Sequence, residues 1–242
     1  MTRTERLSEL RPLVHPRTVA LVGASSGSGK VGRMFMERFV EAGFEKLYPV
    51  NPREKEILGV ETHASVGDIP EPIDLALILT PPRAVEAAVR ECAACGVKGI
   101  VVITGGMGDA GDEEVRRVVE MARAAGSRII GPNCLGIIAP HVSLNASFAA
   151  DMPQKGRIAF ISQSGALCTA VLDWALQENV GFSNFVSVGN TIDAGIGDLI
   201  DYFATDPNTD SIILYVESIK NPREFMSAAR AFTRKKPIIA YK

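Results

Sequence analysis

The stretch V-A-L-V-G-A-S-S-G-S-G-K-V-G, Val19 to Gly32, runs an apolar segment directly into a loop dense in glycine and serine. A strand-to-helix loop of this kind presents backbone N–H groups and the positive end of a helix to an anion, and its glycines let a ligand approach the main chain. Outward from it, apolar strand-like runs recur at Leu47–Val50, Leu75–Leu79, Gly99–Ile103 and Arg128–Ile130. Amphipathic segments such as Arg33–Ala42, Ala84–Ala94 and Glu113–Ala125 lie between most of them. Continuously apolar strands alternating with helices predict a parallel sheet covered on both faces, a doubly wound α/β domain.

After G-P-N-C-L-G (Gly131–Gly136) comes A-P-H-V-S-L-N-A-S-F-A-A-D-M-P-Q-K-G, rich in turn formers and without a clear period, which reads as a linker. The alternation then restarts: strand Arg157–Ile161, helix Ala166–Glu178, strand Phe185–Val188, helix Ile196–Ala204, strand Ile212–Val216, helix Arg223–Thr233 and strand Pro237–Tyr241. The expected organisation is a first domain over 1–142, a linker over 143–155 and a second α/β domain over 156–242. Ligand loops in such folds leave the carboxyl ends of strands, so a second unit that stops after a strand, at Lys242, reads as cut short.

At 242 residues and 46% hydrophobic content the chain has ample material for buried cores. With 26 Lys plus Arg against 28 Asp plus Glu, a broad electrostatic footprint for nucleic acid or membrane is not expected, and any anionic ligand must be caught locally. Cys92, Cys95, Cys134 and Cys168 show no disulfide framework, and the charged start M-T-R-T-E-R-L-S-E-L is not a signal peptide, so the expected location is the cytoplasm. E-C-A-A-C-G lacks a second cysteine pair. It is read as small residues on a buried helix face, and no metal site is expected.

Gly27-Ser28-Gly29-Lys30-Val31-Gly32 matches G-x-G-x-x-G, but Gly23-Ala24-Ser25-Ser26 separates it from the strand. The second strand ends in Val50-Asn51-Pro52-Arg53, with no carboxylate at its tip for a ribose hydroxyl, which disfavours an ordinary NAD site. A Walker A reading would need Gly at Ala24 and Ser or Thr at Val31. What survives is a phosphate cradle that starts at Gly23, with Ser25, Ser26 and Ser28 as extra donors and Lys30 and Arg53 as nearby cations.

The loop joins V-N-P (Val50–Pro52), I-T-G-G (Ile103–Gly106), G-P-N-C-L-G (Gly131–Gly136), S-Q-S-G (Ser162–Gly165), S-V-G-N (Ser187–Asn190) and L-Y-V-E (Leu214–Glu217). In that order, from about Val14 to Lys242, the chain resembles the CoA-binding half of the NDP-forming acyl-CoA synthetases, such as ADP-forming acetate–CoA ligase. The alpha subunit of succinyl-CoA synthetase is more distantly similar. The resemblance implies a Rossmann-like CoA-binding domain followed by a flavodoxin-like ligase domain. It implies CoA phosphates at Ser25, Ser26, Gly27 and Ser28, and Val50, Asn51, Pro52 and Arg53 beside the nucleotide. Thr80, Pro81, Ile103, Thr104 and Gly105 would line the pantetheine path, with Asn133 near the thiol.

The second domain of such enzymes handles phosphate. Ser164-Gly165 precedes a helix, whose N–H groups and dipole would face an anion, with Ser162, Gln163 and Ser164 alongside. A nucleophile elbow, G-x-S-x-G, would need Gly at Ser162 and Ala166, and a plain N-cap is the bland reading of Ser164. Glu217 ends an otherwise apolar strand, where a buried carboxylate requires a partner, and solvation at the strand tip is the bland alternative. It resembles the family glutamate that orients a phosphorylated histidine.

Such enzymes pass a phosphoryl group from acyl phosphate through that histidine to ADP, and the loop that carries it, usually S-H-T-G, is missing here. His15, His63 and His141 are expected to be ordinary surface or turn residues. No ATP-grasp domain is recognisable, so Mg-ATP or ADP would come only through such a domain or a beta subunit, and the chain alone would bind CoA or acyl-CoA without turnover. Met107 replaces a frequent family Phe. The rivals are a non-catalytic CoA sensor, as in acetyltransferases with a synthetase-like region, and a Rossmann oxidoreductase. A homo-oligomer stays open as a further partner.

Overall fold

The computed structural model describes residues 3–108 and 111–242. The first sheet is built from β1 (Val19–Val22), β2 (Leu47–Val50), β5 (Leu75–Ile78), β6 (Gly99–Val102) and β7 (Arg128–Ile130), all parallel, in the order β2-β1-β5-β6-β7. A short antiparallel pair, β3 (Glu56–Ile57) and β4 (Val60–Glu61), follows β2. Strand side chains alternate between two cores. Leu21, Leu77, Val101 and Ile130 enter one, and Ala20, Val22, Ile78, Ile100, Val102 and Ile129 the other. Helices α1 (Arg3–Val14), α2 (Val31–Glu41), α3 (Pro82–Ala94) and α4 (Glu113–Ala124) cover the sheet, as the continuous apolar runs require. Phe35, Met36 and Phe39 of α2 fall on one helical stripe and are fully buried.

The second sheet combines β10 (Lys155–Ser162), β11 (Phe182–Ser187), β12 (Ser211–Tyr215) and β13 (Ile238–Tyr241), mutually parallel, with an antiparallel hairpin of β8 (Gly136–Ala139) and β9 (Leu144–Ser147). Its order is β13-β12-β10-β11-β8-β9. Helices α5 (Gly165–Gln177), α6 (Ile196–Phe203) and α7 (Pro222–Thr233) complete the Rossmann-like plus flavodoxin-like pair.

The expected linker over 143–155 therefore needs correction, because Leu144–Ser147 is a wholly buried strand. Leu144 and Ala146 enter the core while Asn145 and Ser147 bond to each other, Ser147 Oγ donating to Asn145 Oδ1 at 2.7 Å. Ala149 N donates to Ser147 Oγ at 3.1 Å and Asn145 Nδ2 to Ala149 O at 3.3 Å. Polar residues that look like turn formers are satisfied inside the sheet. Gly136 pairs with Ser147 at φ +116°, and a Cβ there would lie 2.7 Å from Ser147 Cα, so only glycine fits.

One core runs through both domains, taking in Leu13, Ile130, Ile137, Ala146, Phe203 and Val216. Phe35 of α2 meets Phe148 edge-on at 5.1 Å. The exit of β11 also straps onto the edge of β7, with Ile192 N donating to Gly131 O at 3.2 Å and Ala194 N to Ile129 O at 2.9 Å. The strap is pinned by Asp193, whose buried carboxylate accepts from Arg128 Nε at 3.0 Å, Ile129 N at 2.7 Å and Arg123 Nε at 2.6 Å.

His15 is not the ordinary surface residue expected. It is half-buried at the domain seam, its Nδ1 2.7 Å from the Tyr202 hydroxyl and its Nε2 3.4 Å from Asn184 Nδ2. Burial holds its pKa below the usual histidine value, opposed by Asp206 and assisted by Arg11 and His141. His63 extends the first sheet beside Val50, and His141 Nε2 lies 2.9 Å from Gly156 O. Cys92 is buried on the inner face of α3, whereas Cys95 just beyond it is exposed, which corrects the reading of both as buried. Among the described residues no helix is long and apolar enough to cross a membrane.

Candidate functional site

In the first sheet the strand order reverses between β1 and β5, and ligands of open α/β sheets lie in the crevice at such a switch point. The Gly/Ser loop occupies it. Gly23, at φ +96°, donates its N–H to Val50 O at 3.1 Å, and a Cβ on it would stand 3.2 Å from the Leu79 carbonyl carbon. Gly32, in the first turn of α2, lets the helix press against this loop, because a Cβ there would stand 2.9 Å from Ser25 N. Gly27 N donates to Ser25 Oγ at 3.2 Å and Arg33 Nη1 to Ser26 O at 2.9 Å. Ser26, Ser28 and Lys30 are exposed, Ser25 is buried, and the Lys30 stem lies along Gly27.

The tip of β2 does carry a carboxylate, contrary to the sequence argument. Asn51 Oδ1 accepts from Arg53 N at 2.9 Å, and the chain turns back so that Glu54 reaches the loop. Ser26 N donates to Glu54 Oε1 at 3.2 Å and Oε2 at 3.1 Å, and Asn51 Nδ2 donates to Glu54 Oε1 at 3.0 Å and Ala24 O at 2.8 Å. The Ser26 hydroxyl is the main cause of a Glu54 pKa below the usual carboxylate range, with Ser26 N–H, Ser25 and Lys30 adding to it against partial desolvation. The loop thus already holds an anion. The signal that could have found Glu54 is the Asn51-Pro52 turn.

The neighbouring strand tips stand along the same edge. Thr104 Oγ1 donates to Thr80 O at 2.6 Å and Asn133 N to Thr104 O at 3.1 Å. Thr80 Oγ1 is buried with no partner among the described residues. Pro52, Arg53 and Pro81 are exposed beside the crevice, and Gly105 backs onto Asn133 Oδ1. Val50 and Ile103 are buried in the cores, so only their main chains border the crevice.

The second sheet reverses order between β10 and β12, and its crevice gathers Ser162–Gly165 and Glu217. Gln163 spans it, its Oε1 accepting from Glu217 N at 2.7 Å and Ser218 N at 3.0 Å. Ser164 is the N-cap of α5, accepting from Leu167 N at 3.3 Å, and a Cβ on Gly165 would meet no atom within 4 Å among the described residues. Two expectations need correction. Ser162 is fully buried and its hydroxyl closes a local turn, accepting from Ser164 N and donating to Ser164 O, both at 3.0 Å. Glu217 lies beyond the end of β12 in an exposed loop and not inside the apolar strand.

Asn190 and Lys220 join the two crevices, which the sequence reading missed. Asn133 Nδ2 donates to Asn190 Oδ1 at 3.4 Å and Lys220 Nζ to Asn190 O at 2.5 Å. A cleft of about 610 Å³ opens beside them between the domains, bordered by Arg128, Gln163, Asp193, Ser218 and Lys220.

Two α/β sheets with crevices at their switch points, the first with the Glu54 carboxylate on its Gly/Ser loop, define a protein of two doubly wound α/β domains. Residues 17–140 match the CoA binding domain family and residues 155–242 the succinyl-CoA ligase like flavodoxin domain. The chain belongs to this CoA-binding family and corresponds to the alpha-subunit-like portion of ADP-forming acyl-CoA synthetases. It is 44% identical over 231 residues to the alpha subunit of ADP-forming acetate–CoA ligase II of Pyrococcus furiosus, covering 94% of this chain and 50% of that protein. It is also 44% identical to the ADP-forming acetate–CoA ligase of Methanocaldococcus jannaschii, covering 97% of this chain and 33% of that protein. An acetyl-coenzyme A synthetase of Ca. Korarchaeum cryptofilum, solved with phosphate and ADP, superposes with a TM-score of 0.92 at 38% identity, over 96% of this chain and 51% of that one. The chain thus spans between a third and about half the length of these relatives. They give the regulatory-sensor alternative no support.

Proposed function

We propose that this chain binds CoA across the first sheet as part of an acyl-CoA synthetase that converts a carboxylic acid, CoA and nucleoside triphosphate into acyl-CoA, nucleoside diphosphate and phosphate. The observation that carries the reading is the Gly/Ser loop at the first switch point, which holds a carboxylate on the Ser26 N–H. Gly23, Ser25, Ser26, Gly27, Ser28 and Lys30 receive the CoA phosphates, and Val50, Asn51, Pro52 and Arg53 flank the nucleotide. Thr80, Pro81, Ile103, Thr104 and Gly105 follow the pantetheine arm to Asn133. The unpartnered Thr80 hydroxyl supports a polar ligand on that path.

From Asn133 the hydrogen-bonded path through Asn190 and Lys220 leads to the second crevice. There the first turn of α5 at Gln163, Ser164 and Gly165 faces phosphate, with Ser162 shaping the turn from beneath. A phosphohistidine outside this chain supplies the phosphoryl relay, and an ATP-grasp domain or beta subunit supplies the nucleotide site. Gln163 fixes the loop that presents Glu217 to that histidine. A cytoplasmic location is supported by four free cysteines. Burial pushes the pKa of Cys92 and Cys134 to about 12 and of Cys168 to about 11, so these three stay unreactive thiols.

The test is calorimetric titration of the 242-residue chain with CoA, alongside Ser26→Asp. A second carboxylate in the cradle repels phosphate, and affinity should fall at least tenfold, about 1.4 kcal/mol. Equal affinity in both proteins refutes the loop assignment.

A further inference from the structure

We propose that Glu54 sets the affinity of this CoA site: in the free protein its carboxylate holds the donors of the phosphate cradle, and a CoA phosphate enters only by displacing it. The inference rests on the CoA-binding reading above and deepens it.

Both oxygens of Glu54 accept from the Ser26 N–H, and Oε1 accepts from Asn51 Nδ2 as well. These are donors at the switch point, where an incoming phosphate needs them. A carboxylate and a phosphate cannot share one N–H at close range, since two anions would face each other across a single donor. Lowered protonation of Glu54 by the Ser26 contacts is the same competition seen from the carboxylate's side: the loop favours an anion there.

The cradle itself does not depend on Glu54. Asn51 is held by Ala24 O and Arg53 N, the loop is braced by Arg33 on Ser26 O and by Ser25 on Gly27 N, and Gly23 N bonds Val50 O. Removing the carboxylate leaves these bonds in place, so the donors are freed rather than lost. Glu54 also sits two residues from the 56–61 hairpin on the short Pro52–Lys55 turn, where the side chain can swing toward solvent without moving a strand. Its exit is a rotamer change, not a refolding.

A ligand that binds only the vacated cradle has its apparent affinity reduced by the fraction of molecules in which the cradle is vacant. Glu54→Gln keeps the size and a weaker hydrogen bond but removes the charge, and Glu54→Ala removes both. Calorimetry with CoA should show Glu54→Gln binding about three- to tenfold more tightly than the parent chain, with Glu54→Ala at least as tight. In parallel, ¹³C NMR of the parent chain should show the Glu54 carboxyl resonance move to that of a solvated carboxylate on CoA saturation. If CoA binds the parent chain and both variants bind it equally or more weakly, or if the Glu54 resonance stays put at saturation, the displacement is refuted while the CoA reading stands. If no protein of the set binds CoA, the CoA reading fails and this inference fails with it.

Discussion

Replacing Gly32 by alanine sets two effects of opposite sign against each other. Gly32 is the second residue of α2, and in a helix alanine is favoured over glycine by about 1 kcal/mol. Against this, the added Cβ would stand 2.9 Å from Ser25 N and 3.0 Å from the Ala24 carbonyl carbon, and closer still to the Gly23 carbonyl oxygen. All three are backbone atoms, so no side chain can turn aside. Restoring van der Waals contact requires the loop to move by at least about 0.5 Å at Ser25 and more at Gly23. Overpacking of this kind costs about 1–3 kcal/mol, and clashes with three backbone atoms at once put this position at about 2–3 kcal/mol, so after the helix gain of about 1 kcal/mol the net change should be a loss of about 1–2 kcal/mol. For a chain of this size that lowers Tm by roughly 2–8 °C. The atoms forced to move are those of the cradle, and CoA affinity should fall by at least about tenfold. Thermal unfolding and CoA calorimetry on Gly32→Ala test both, with Gly29→Ala avoided for its positive φ and Gly111→Ala, whose Cβ meets no atom within 4 Å among the described residues, as the control expected to match the parent chain. A Gly32→Ala protein as stable as the parent, binding CoA as tightly, refutes the claim that helix–loop contact shapes the site.

Asp193→Asn should cost about 2–3 kcal/mol by chemical denaturation. That is somewhat below the value for a fully isolated buried pair, because Asp198 and Glu9 still face Arg128; a change below about 0.5 kcal/mol would show that the strap is not held by this carboxylate. The lowered pKa of His15 gives a pH signature. The unfolded chain takes up a proton near pH 6.5 while the folded chain resists it, so stability contributed by neutral His15 is present above that pH and is lost as pH falls below it. The slope due to this residue is at most about 1.4 kcal/mol per pH unit, and His15→Gln should remove it; an unchanged acid limb in urea titrations between about pH 6.5 and 5 would refute the seam role.

Helix and strand positions of both domains were legible because their burial pattern is periodic. β1, β5 and β6 are four-residue apolar runs buried on both faces, and the stripe of α2 is visible as Phe35, Met36 and Phe39. β9 was not legible. Its Asn145 and Ser147 carry the composition of a turn, and they fit inside a sheet because they bond to each other and to the backbone of Ala149. Whether Glu217 is buried or solvated at a strand tip was not legible for the converse reason: the strand stops at Tyr215, and burial cannot be read from apolar neighbours once the chain has left the sheet.

The amino-acid order alone determined the two α/β units, the Gly/Ser loop after the first strand and the motif series that marks a CoA-binding chain, since these depend on local periodicity and on residues adjacent in the chain. Tertiary structure alone decided which groups meet across the fold. It placed Glu54 on the Ser26 N–H, Gln163 over the exit toward Glu217, Asn133 against Asn190, and the strand Leu144–Ser147 inside a shared core. Such contacts join residues tens of positions apart, and the hydrogen bonds that settle them form only when both sheets have packed.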